Sequence, residues 1–90
     1  MLNMILDDLL REARMRWKEV YIDRVKVSKS KVFIYMSIEG TNIKAIIYRN
    51  RIKVRVYCRL KGMSISLQRM LERIYKRTVR RWKGVWEESI

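Results

Sequence analysis

Between Val20 and Leu60 the apolar residues recur at every second position, and they stay on one face through three successive turn signals. Val32, Ile34, Met36 and Ile38 alternate with Phe33, Tyr35, Ser37 and Glu39. Ile43, Ala45 and Ile47 alternate with Lys44, Ile46 and Tyr48. Ile52, Val54, Val56, Cys58 and Leu60 alternate with Lys53, Arg55, Tyr57, Arg59 and Lys61. A period of two puts residues i and i+2 on the same side of a strand, so each run is a half-buried strand. Lys29-Ser30, Gly40-Thr41 and Arg49-Asn50 are the candidate two-residue turns. They predict the pairs Val27 with Val32, Val25 with Ile34, Ile38 with Ile43, Met36 with Ala45, Ile34 with Ile47, Ile47 with Ile52 and Ala45 with Val54. Every pair is apolar with apolar, as an antiparallel meander with one buried face requires. Val20 and Ile22 are out of phase with Val25 and Val27, which predicts a bulge near Asp23-Arg24.

On either side of these strands the period is helical. Leu2, Ile5, Leu6, Leu9, Leu10, Ala13 and Trp17 form one apolar stripe over residues 2–17, with Asn3 as the expected cap. After Gly62, with Ser64 or Ser66 as cap, Leu67, Met70, Leu71, Ile74, Tyr75, Thr78 and Trp82 form a second stripe, and Gly84 is the expected stop. The expected fold is α+β: helix, four-stranded antiparallel β-meander, helix, with both helices on one sheet face and the other face open. Residues 1–84 are expected to form one compact domain and 85–90 a short tail.

The open face and the second helix gather most of the charge. The 90 residues hold 22 Lys+Arg and 9 Asp+Glu, a net +13, with 49% hydrophobic residues. Residues 1–45 carry 9 basic and 6 acidic groups, whereas residues 46–90 carry 13 and 3. Such an excess favours a polyanionic partner. The helix offers Arg69, Arg73, Lys76, Arg77, Arg80, Arg81 and Lys83 for phosphate contact. The sheet offers Lys44, Lys53, Arg55, Arg59 and Lys61. It also offers Phe33, Tyr35, Tyr48 and Tyr57, as rings for base stacking or for the interface of a homodimer. The predicted registers place Lys26, Phe33, Tyr48 and Arg51 in one row, Arg24, Tyr35, Ile46 and Lys53 in the next, and Ser37, Lys44 and Arg55 in a third.

Other classes fit poorly. With no His and one Cys, histidine-based catalysis and a Cys/His zinc site are excluded. A metal-dependent nuclease needs clustered carboxylates, and Glu39, the best partner for Asp23, is followed by Gly40-Thr41 in a turn. No metal, cofactor or catalytic residue is expected. Trp82 and Trp86 beside Arg80, Arg81 and Lys83 could suit an anionic membrane surface, but burial in the core is the commoner fate of such rings. The first residues lack a basic segment and a small-residue cleavage site, which points to an intracellular, cytoplasmic protein. The expected function is a non-catalytic nucleic-acid-binding protein, for DNA or RNA. The alternative is an assembly protein that dimerises through its sheet face.

Overall fold

The computed structural model describes residues 2–81. Helix α1 (Leu2–Arg16) leads into strands β1 (Val20–Val27), β2 (Lys31–Ile38), β3 (Thr41–Tyr48) and β4 (Lys53–Tyr57), and helix α2 (Lys61–Arg81) follows. The strands form one antiparallel sheet in the order β1-β2-β3-β4. Both helices pack on its apolar face. Ile5, Leu9 and Ala13 of α1 and Leu67, Met70, Leu71, Ile74 and Tyr75 of α2 share one buried cluster with Ile34, Met36, Ala45, Ile47, Val54 and Val56. Among the described residues no helix is long and apolar enough to cross a membrane. Trp82, Lys83, Gly84 and Trp86, with the tail, lie outside the described residues.

The faces agree with the alternation, but two registers differ from those expected by two residues. The β1–β2 pairing of Val27 with Val32 and Val25 with Ile34 is as the sequence predicts, and the bulge falls between Ile22 and Arg24. In the next hairpin Ile38 pairs with Thr41, Met36 with Ile43, Ile34 with Ala45 and Val32 with Ile47. The turn is Glu39-Gly40, one residue earlier than Gly40-Thr41. Both residues have positive φ, 50° and 77°. That geometry matches the twist of a hairpin. Glu39 is held there because its Oε1 accepts the Lys18 N–H at 3.0 Å. A shift of two residues preserves parity, so no side chain changes face.

The β3–β4 connection is a four-residue loop and not the two-residue turn expected. Ala45 pairs with Val56 and Ile47 with Val54. The buried Tyr75 hydroxyl sets this loop, donating to Tyr48 O at 2.5 Å and approaching Arg51 O at 3.4 Å. Arg49 ties the same loop to the β1–β2 turn through Ser28 O at 2.6 Å. Ile52, expected on the apolar face, therefore leaves the sheet; Leu60, also expected there, lies past the end of β4, and both are exposed. Tyr75→Phe is expected to cost about 1–2 kcal/mol, because it removes the hydroxyl that Tyr48 O accepts, while Arg51 O keeps the Lys53 N–H at 2.9 Å. Urea melts would measure the loss, and hydrogen exchange should rise first in residues 49–52.

Helix ends also differ. Asn3 lies inside α1 and is not its cap. Ser64 and Ser66 lie inside α2, which starts at Lys61. Cys58, expected on the last strand, follows it in the β4–α2 connection, its sulfur accepting the Leu60 N–H at 3.3 Å. Freed from capping, Ser64 Oγ donates to Val56 O at 3.1 Å, and Gln68 Oε1 accepts Val56 N–H at 3.1 Å. Helix α2 thus satisfies both backbone groups that β4 would otherwise show to water at Val56. At the opposite edge, β1 carries Asp23, Arg24, Lys26 and the bulge, features that discourage pairing with another strand.

Candidate nucleic-acid interface

The open face consists of the outward residues of all four strands. With the observed registers, Lys31, Tyr48 and Lys53 form one row. Lys26, Phe33, Ile46 and Arg55 form the next, and Arg24, Tyr35, Lys44 and Tyr57 the third. The residues are those the alternation selects, but their neighbours differ. Lys44 now lies between Tyr35 and Tyr57, and Tyr48 between two lysines. Four rings of the face, Phe33, Tyr35, Tyr48 and Tyr57, each carry a cation. Arg24 lies 4.6 Å from the Tyr35 ring centre, and Lys44 lies 5.9 Å from Phe33 and 5.8 Å from Tyr57. Tyr48 is approached by Lys31, Lys53 and, from the loop, Arg51, at 5.5, 5.6 and 4.9 Å.

This arrangement follows from the sequence pattern and has an electrostatic consequence. Rings and cations share one parity, so cross-strand pairing sets them side by side. Each such contact stabilises by about 0.5–1 kcal/mol at an exposed site. It also restricts a flexible side chain before any ligand arrives, which lowers the ordering cost of binding. Ile46, in the middle of the face, is only 7% exposed although no helix among the described residues packs on that face. Asp23 is the only acid within the four strands, and its carboxylate accepts the Ser37 hydroxyl at 2.6 Å.

Helix α2 has a narrower set of available cations than its sequence suggests. At about 100° per residue, Arg69, Arg73, Lys76 and Arg80 fall within about 60° of one another, opposite the buried stripe. Arg77 lies on the flank toward α1. Its guanidinium donates to Glu12 at 2.8 Å and to Asp8 at 3.2 Å. Arg73 is 3.8 Å from the same Glu12. The hydrogen bonds that Arg77 donates to Glu12, then Asp8, hold it above its ordinary pKa. Arg77 is thus committed to joining the two helices. Arg59 lies in the β4–α2 connection, and Lys61 is the first residue of α2, so neither extends the sheet face as expected.

Comparison with protein-family models, with curated proteins and with solved structures returned no match. The chemistry of the surfaces is therefore the ground for any functional reading. Lys31 completes the Tyr48 row although the sequence reading left it out of the candidate set. Its signal was there: it shares the odd parity of Phe33 and Tyr35 on the same strand. Arg51 had a different fate, reaching Tyr48 from a loop whose conformation depends on Tyr75, a contact far away in sequence.

Proposed function

We propose that this protein binds nucleic acid, without catalysis, by phosphate contacts made on its open sheet face. The observation that carries this reading is the set of cations held against aromatic rings across the four strands, with one acid among them. Phosphates need such pre-placed positive groups, while the rings give partly apolar ground on which sugars and bases can rest. Because Phe33, Tyr35, Tyr48 and Tyr57 already have cations against them, backbone contact comes first and stacking second. The sheet is the better surface than α2, where Arg77 is tied to α1. A homodimer made by pressing two open faces together would set cations against cations, which supports binding over assembly as the role of this face.

The test is a binding titration against single- and double-stranded DNA and RNA at several salt concentrations. Each neutralised phosphate contributes about −0.9 to the log–log slope on duplex and −0.7 on a single strand, so a slope of about −4 to −5 is expected on duplex. Failure to bind any of the four types at ~50 mM salt would reject the reading and favour an assembly role.

A further inference from the structure

Two cationic surfaces lie on opposite sides of this fold. The sheet face is one. The other is the α2 stripe of Arg69, Arg73, Lys76 and Arg80, all exposed and directed away from the core. Acids bound the stripe on both flanks. Asp8 and Glu12 meet Arg77 and Arg73 on the α1 side. On the other side Glu72 lines the groove between α2 and β4, together with Lys53 and Arg55. A single polyanion touching both surfaces would have to wrap around an edge of the fold. Even along its shortest axis the Cα trace spans 19 Å. That is about twice the Debye length of about 8 Å at physiological salt, so an anion on one surface scarcely screens the other.

We propose that one copy of the protein bridges two nucleic-acid segments, holding one on the sheet face and the second along the α2 stripe. The inference rests on the nucleic-acid reading above and extends it to a second, independent site. It makes the protein a cross-linking or compacting factor and not a simple coat. The stripe runs over twelve residues, eleven rises of 1.5 Å or about 16 Å, enough to follow several phosphates of one duplex strand.

A two-duplex capture assay tests this. One duplex DNA is immobilised, and a second, fluorescent duplex is supplied with the protein at ~50 mM salt. Occupancy of a single duplex is measured in parallel by anisotropy. The wild type should retain the second duplex. A sheet variant (Lys31→Ala, Lys44→Ala, Lys53→Ala, Arg55→Ala) and a stripe variant (Arg69→Ala, Lys76→Ala, Arg80→Ala) should each capture it at least tenfold less. The comparison is made at concentrations where each variant still occupies a single duplex. Should the fourfold sheet variant unfold, Lys44→Ala with Arg55→Ala removes exposed cations only and serves in its place. Single-duplex binding without capture would overturn bridging and leave the binding reading intact. Capture that persists in either one-surface variant would overturn the two-sided monomer and assign bridging to a dimer. No single-duplex binding by the wild type would overturn both.

Discussion

Val54→Asp should destabilise the protein by about 3–5 kcal/mol, enough to leave a large fraction unfolded at room temperature. Val54 is 2% exposed, pairs with Ile47, and faces the cluster that α2 closes. A carboxylate there either keeps its charge without a partner or takes up a proton at the expense of its normal ionisation. Both are costly away from water. A domain of this size has only about 0.05–0.15 kcal/mol of stability per residue to lose. At about 4–8 °C per kcal/mol, the melting temperature should fall by roughly 12–40 °C. Arg55→Asp is the matched control. It introduces the same side chain one position along, on the open face, and should change stability by less than about 1 kcal/mol. If Val54→Asp melts like the parent while Arg55→Asp collapses, the two faces of the sheet are the reverse of those described.

The largest functional effect should come from Lys31→Ala, Lys44→Ala, Lys53→Ala and Arg55→Ala made together. At ~0.1 M salt, affinity for a single duplex should fall on the order of 10²-fold and the salt slope should flatten by about two. The α2 stripe limits the fall, since it offers fewer contacts but continues to bind. Removing Arg69, Lys76 and Arg80 instead should change single-duplex affinity less than about threefold, because the sheet face dominates. Tyr35→Ala with Tyr48→Ala should leave the slope nearly unchanged, since no charge is lost. These rings also hold cations in place, so affinity should still drop. Circular dichroism must show each variant folded before its affinity is compared.

How far the sequence led can be judged from particular residues. The buried face of every strand was legible, because parity survives any even shift in register. So was the bulge, since Val20 and Ile22 break phase with Val25 and Val27. The two register shifts were not legible. Glu39 adopts positive φ against its own preference, aided by Lys18, a contact that sequence spacing does not show. The four-residue β3–β4 loop depends on the Tyr75 hydroxyl, 24 and 27 positions away from the carbonyls it contacts. At the candidate site, the sequence identified the basic and aromatic residues but not their pairing. It also counted Arg77 as available, because the meeting of Asp8 and Glu12 with α2 requires both helices to lie side by side on the sheet.

The most direct test of the account is to map the nucleic-acid contact by backbone amide NMR, adding a short duplex in steps at ~100 mM salt. The account predicts the largest shift changes at Lys31, Phe33, Lys44, Ile46, Tyr48, Lys53 and Arg55. Smaller changes should follow along Arg69, Lys76 and Arg80 as a second duplex is taken up, with the buried amides of α1 unmoved. Changes confined to the β1 edge or to α1, or saturable binding with the open-face amides unshifted, would contradict it.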